Sequence, residues 1–187
     1  MGRMGNFDRT AVTMEIRFLG HAAFELSDGA TSVLIDPFLT GNPKAAVAAD
    51  DLSPDAILLT HGHVDHIGDT VPIARRTGAD VVAIVEIANE LMADGVANVR
   101  DPNLGGTVHL DWGWVKLVPA WHTSTTPNGT VNTPAGLIVG IGGKVVYHLG
   151  DTSLFGDLAL MNATAGRAAP DGAEIDVALM CIGGHYT

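Results

Sequence analysis

Residues 14–19, Met-Glu-Ile-Arg-Phe-Leu, alternate apolar and polar positions with the period of a half-buried strand. Segments 23–26 and 32–35 are similar and flank Asp28-Gly29, a pair that favours a tight hairpin. Asp36-Pro37 stops the second of them, Thr40-Gly41-Asn42-Pro43 is a turn, and the Ala-rich run 44–50 predicts a short helix. The apolar run 56–59 predicts a buried strand, with a helix following from about residue 66 to 76. A strand at 81–85 and a helix at 86–93, ended by Gly95, repeat that alternation. Segments 107–110 and 115–120 predict paired strands, and 137–141 and 144–149 form a second hairpin around Gly142-Gly143. Residues 154–163 predict a helix and 176–182 a last strand. This order fits an α/β protein with two mixed sheets packed face to face and helices outside.

Composition narrows the picture. The 187 residues allow one domain, expected over 14–187, behind a polar, aperiodic and loose extension at 1–13. With 47% hydrophobic residues but only 5% aromatic ones, the core must be filled by aliphatic side chains. The net charge of −11 disfavours a nucleic-acid partner, because phosphate-backbone binding needs Lys and Arg to release counterions. It leaves room for a small anionic substrate, since bound cations reverse the local field. Cys181 is the single cysteine, so no internal disulfide forms; a reducing, cytoplasmic setting is expected, with Cys181 as a small core residue on the last strand. No run approaches the ~18 apolar residues of a membrane span, and the N-terminus has no apolar signal core.

The chemistry concentrates in Thr60-His61-Gly62-His63-Val64-Asp65-His66, between the strand 56–59 and the helix after it. Three imidazoles and a carboxylate within six positions are metal ligands by type. They sit at the C-terminal end of a strand, where α/β folds place their sites. Gly62 separates His61 from His63, so both imidazoles can point the same way, while Asp65 and His66 can face a second point. The pattern suggests two neighbouring ions. His122 and Asp151 each lie just past a strand and are candidates to complete the set; Gly150 permits a sharp turn before Asp151.

With these residues assembled, the chain resembles the metallo-β-lactamase superfamily of metal-dependent hydrolases. The matching segments are 60–66, His122 and Gly150-Asp151-Thr152. Leu19-Gly20-His21-Ala22-Ala23-Phe24, residues 36–43 and Ile182-Gly183-Gly184-His185-Tyr186-Thr187 are similar to a bacterial and archaeal branch related to the ascorbate-phosphate lactonases. The resemblance covers nearly all of 14–187 and implies an αββα sandwich with metals at one edge between the sheets. It also implies that His61, His63 and His122 hold one ion, that Asp65 and His66 hold a second, and that Asp151 bridges them. In the superfamily a last histidine, on a strand near the C-terminus, completes the second site. This chain stops at Thr187, so the resemblance implies that it lacks the final helix, strand and ligand. A weaker second site is then expected, with an uncovered sheet edge near 176–187 that favours association with another copy. His21, Asp36, Asn42 and His185 fall in segments shared with the closer branch and are candidates for the substrate pocket, His21 by touching substrate or Asp36. His109 is expected on an exposed strand face and His148 in the core or behind the ligands.

The expected activity is hydrolysis of a small ester, lactone or phosphodiester by a metal-activated water oriented by Asp65 or Asp151. Two divalent ions are expected, zinc first, with manganese, iron or nickel also compatible with His and Asp ligands. The alternatives are a nuclease of the same fold, a redox di-iron protein, and a metal-binding protein whose catalysis is lost.

Overall fold

The computed structural model describes residues 13–187, so the loose extension expected at 1–13 lies, apart from Thr13, outside the described residues. A six-stranded sheet runs in sequence order: β1 (Glu15–Gly20), β2 (Ala23–Ser27), β3 (Ser32–Ile35), β4 (Ala56–Leu58), β5 (Asp80–Val82) and β6 (Val99–Arg100). Its first three strands are antiparallel hairpins, and β3 to β6 are parallel. A second sheet has the order β11-β10-β9-β8-β7, from β7 (Thr107–Leu110), β8 (Gly113–Pro119), β9 (Ala135–Ile141), β10 (Lys144–His148) and β11 (Val177–Leu179). It is antiparallel except for β11, which pairs parallel with β10.

The two sheets share one core. Leu26, Ile35 and Leu58 of the first sheet are buried in the same cluster as Leu117, Leu137 and Val139 of the second. Each fully buried Leu or Ile contributes about 1.5–3 kcal/mol, so this aliphatic interface outweighs any single polar contact in the fold. Helices α2 (Thr70–Thr77) and α3 (Val85–Ala93) are the crossovers between parallel strands, and they bury Ile73, Ile87 and Leu91 in that cluster. A smaller cluster joins Trp114, Ile138 and Tyr147 of the second sheet to Met161 and Ala165 of α4 (Met161–Ala168). Among the described residues no helix is long and apolar enough to cross a membrane.

Several elements differ from expectation. The helix expected at 44–50 is a series of turns ending in a 3-10 turn at Ala49–Asp51. The Ala46 N–H is drawn out to Leu19 O, and Asn42 Oδ1 accepts the Lys44 N–H, so the backbone bonds that would start a helix are used elsewhere. The helix expected from residue 66 begins earlier, as α1 (Val64–Ile67), and is separated from α2 by Gly68. The helix expected at 154–163 is a 3-10 turn, Gly156–Leu160, followed by α4. Met161, Ala165 and Ala169, spaced by four, present the apolar face that packs on the sheet, whereas Leu154 is exposed. Strand β6 was not expected. Cys181, expected in the core, lies beyond β11 and is only half-buried, its Sγ 3.4 Å from Thr152 O.

Candidate metal centre

Every candidate ligand follows the end of a strand at one edge of the sandwich. His21 is in the β1–β2 turn, Asp36 follows β3, Thr60 to His66 follow β4, His122 follows β8 and Asp151 follows β10. Ala135 N–H donates to Thr60 O at 2.9 Å and ties the start of β9 to this edge of the first sheet.

Beneath the cluster lies a buried network. Asp36 is 0% exposed with φ 45°, in the left-handed region that Asn and Asp tolerate better than most residues. Its Oδ1 accepts the Thr60 N–H at 2.8 Å, and its Oδ2 accepts the Thr60 hydroxyl at 2.5 Å and the His66 Nδ1–H at 2.8 Å. The Thr60 hydroxyl has one proton and gives it to Asp36. The 3.0 Å contact between Thr60 Oγ1 and His61 Nδ1 is therefore donated by the imidazole. Both rings are thus fixed with Nδ1 protonated and turned down, leaving Nε2 of His61 and His66 directed away from Asp36. His66 Nε2 is fully buried and has no hydrogen-bond partner; its nearest charged atom is Asp151 Oδ2 at 3.5 Å, outside hydrogen-bond geometry.

Electrostatics follow from this packing. Burial alone would raise the Asp36 carboxyl, but the charge and hydrogen bond of His66, with smaller help from His148 and His61, hold it at about 2. Burial alone would lower His66, but Asp36 and Asp151 reverse this and push it up to about 10. Burial, reinforced by the neighbouring His66, pushes His61 down to about 3. Burial also lowers His122. Asp151, which burial would raise, is lowered first by the adjacent His66 and then by the charges of His61 and His122. His61 and His122 are thus held as neutral imidazoles beside the carboxylate of Asp151, while His66 takes a proton when no other cation is present.

Three groups of donors gather here, each with its ligand atoms within 4.8 Å of one another: His61, His63 and His122; His61, His66 and Asp151; and His21, Asp65 and His66. His63, the half-exposed residue before α1, has extended backbone, and its Nδ1 lies 3.0 Å from His61 Nε2. Gly62 between them is required: a Cβ there would lie 2.7 Å from Asn132 Nδ2 and 2.8 Å from Thr126 Cγ2. The Gly62 N–H donates to Ser124 Oγ at 2.8 Å, and Ser124 donates to Asn132 Oδ1 at 2.5 Å. Gly150 has φ 62° and lets the chain turn Asp151 toward the cluster. His63, Asp65, His122, Asp151, His185 and Tyr186 line an open cavity of about 460 Å³.

Of the four pocket candidates, Asp36, His21 and Asn42 do not line this cavity. Asp36 is fully buried beneath the imidazoles and cannot touch substrate, and His21 meets Asp65 (Nε2 to Oδ2, 3.1 Å) rather than Asp36. Asn42 uses its amide within its own turn, donating to Phe38 O and accepting from Lys44. His185 does line the cavity. His148 is buried, with Nε2 3.1 Å from Ala22 O and Nδ1 accepting the Gly150 N–H, and His109 is exposed on β7. The supporting roles of Asp36, Ser124 and Asn132 were missed by sequence reasoning. The signal for Asp36 was its position directly after β3, beside β4 in a parallel sheet.

The profile of the Metallo-beta-lactamase superfamily matches residues 16–181. A UPF0173 metal-dependent hydrolase of Thermus thermophilus is 45% identical over 175 residues, covering 93% of this chain and 73% of that protein. One from Thermococcus kodakarensis is 47% identical with 93% and 74% coverage. Among solved structures, Igni18, a metallo hydrolase from Ignicoccus hospitalis, has a TM-score of 0.79 at 34% identity, covering 93% of this chain and 72% of that one. The diiron β-hydroxylase CmlA of Streptomyces venezuelae, at 20% identity and a TM-score of 0.64 over 88% of this chain and 34% of its own, shares the fold. The chain therefore belongs to the metallo-beta-lactamase superfamily, among its metal-dependent hydrolases.

Proposed function

We propose that this edge binds two divalent transition-metal ions, zinc first, and hydrolyses an ester, lactone or phosphodiester bond in a small substrate in the cytoplasm. His61, His63 and His122 would hold one ion, Asp65 and His66 the other, and Asp151 would be shared. The observation that carries the reading is the trio of imidazoles whose donor atoms lie within 4.8 Å of one another. The buried, unpartnered Nε2 of His66 supports it, because a buried polar atom without a partner is costly and an ion would satisfy it.

A divalent ion at such a site lowers the pKa of a water toward ~7 and polarises the oxygen on which negative charge develops. The chain's own residues supply the rest. Asp36 and Thr60 hold the His66 and His61 rings in one tautomer and orientation, so no reorganisation is needed when substrate arrives. Asp65 and Asp151, which line the cavity, would orient the attacking water and accept its proton. His185 and Tyr186, which line the same cavity, would contact substrate. A nuclease is disfavoured by the net charge of −11. Because β11 is an edge strand and Met180 and Ile182 beside it are exposed, self-association through this edge is part of the proposal.

The test is elemental analysis of the purified protein together with a panel of lactone, thioester, ester and phosphodiester substrates. Metal-dependent turnover of a small substrate is expected. A protein that takes up no transition metal would overturn the reading.

A further inference from the structure

We propose that His21 is itself a ligand of the second ion, forming a three-donor set with Asp65 and His66. The inference rests on the two-ion reading above and adds to it a donor from a different part of the chain. His21 Nε2 lies 3.1 Å from Asp65 Oδ2, and one donor atom from each of His21, Asp65 and His66 falls within 4.8 Å of the others. Asp36 occupies His66 Nδ1, so the nitrogen that His66 offers this group is Nε2, which is fully buried and unpartnered. That atom is independent of the His21–Asp65 contact and calls for a cation or donor at the same point.

The backbone at His21 supports the assignment. Its φ is 57°, in the left-handed region that non-glycine residues rarely adopt. Gly20 before it has φ 112°, and a Cβ there would lie 2.9 Å from the Lys44 carbonyl carbon. The turn is therefore clamped between β1 and the loop at residue 44. The clamped turn sets the imidazole, itself 42% exposed, with its ring centroid 5.3 Å from that of His66 and 5.9 Å from that of Phe38, both edge-on. A backbone conformation held against its own preference, aiming a metal-ligand side chain at a carboxylate and a buried imidazole, is characteristic of a functional site. Asp65 and His66 alone would give the ion two donors besides the shared Asp151; His21 adds a neutral nitrogen from the β1–β2 turn.

Cobalt(II) titration of the chelator-stripped protein, followed by visible absorption and by bound metal after dialysis, tests this without measuring activity. Wild type should bind two equivalents. His21→Asn keeps a residue that tolerates the left-handed backbone. His21→Gln keeps a hydrogen-bond donor that can reach Asp65. Both should weaken the second equivalent by roughly tenfold or more while the first binds as in wild type, which also shows that the fold is intact. An unchanged second equivalent in His21→Gln would make His21 only a hydrogen-bond donor to Asp65 and overturn the inference. So would equal loss of both equivalents in His21→Asn. Failure of wild type to bind any cobalt would instead remove the underlying two-ion reading.

Discussion

His66 Nδ1 lies 2.8 Å from Asp36 Oδ2, and both side chains are wholly buried. The pair joins two strand ends, after β3 and after β4, and through Thr60 it also fixes His61. The ring orientations at the candidate metal centre thus depend on a carboxylate that does not reach the cavity.

Replacing Asp36 tests that dependence. Asp36→Asn keeps a residue suited to φ 45° but removes the charge that His66 and Thr60 share. Breaking a buried pair on one side costs on the order of 3–5 kcal/mol. Loss of an outer carboxylate lowers metal affinity roughly ten- to a hundredfold. Denaturant unfolding and a competitive chelator titration read the two effects separately. Wild-type affinity in a folded variant would show that Asp36 does not orient the ligands.

Substitution at Gly62 should disturb the site through the backbone. A Cβ in Gly62→Ala would press on Asn132 and Thr126 and push the His61–His63 segment outward. A loss of about 1–3 kcal/mol is expected from overpacking, together with weaker metal binding. A thermal melt and metal analysis on the same preparation check both.

The pH dependence of the metal-free protein should have two arms. His66 is raised from 6.5 to about 10, so the native state keeps a proton that the unfolded chain loses, and stability falls as pH rises through that window. His61 is lowered from 6.5 to about 3, so on acidification the unfolded chain takes up a proton that the native state refuses, and stability falls toward acid. Asp36, held at about 2 against 3.8, adds to the acid arm at lower pH. Urea midpoints of chelator-treated protein should peak near pH 6.5, each arm amounting to a few kcal/mol at ~1.4 kcal/mol per pKa unit. Bound metal should flatten the alkaline arm, because a cation then replaces the His66 proton. Midpoints that rise steadily from pH 6 to 9 without metal would contradict the assignment.

Much of this arrangement was legible in the sequence, for physical reasons. The strands of both sheets carry a clear period or an unbroken apolar run, and the two hairpins are marked by Asp28-Gly29 and Gly142-Gly143. His61, His63, Asp65, His66, His122 and Asp151 stand just past strands, so a coarse strand reading was enough to bring them to one edge. What failed depended on tertiary competition. The run 44–50 has helical composition, but its backbone bonds go to Leu19 and Asn42. Helix α4 begins at Met161, in the register that packs Met161 and Ala165 with Trp114 and Ile138. Asp36 was a pocket candidate because it falls in a segment shared with the closer branch; its burial becomes visible only once β3 and β4 are paired.

The central claim is that His61, His63 and His122 hold an ion. Deleting one of them gives a first check, since His61→Ala should abolish binding at that position. The most direct measurement is diffraction from crystals of the zinc-loaded protein at the zinc absorption edge. A strong anomalous peak at ~2.0–2.1 Å from one ring nitrogen of each of the three histidines is the expected result. No peak at that position, with the three imidazoles pointing away from one another, would contradict it.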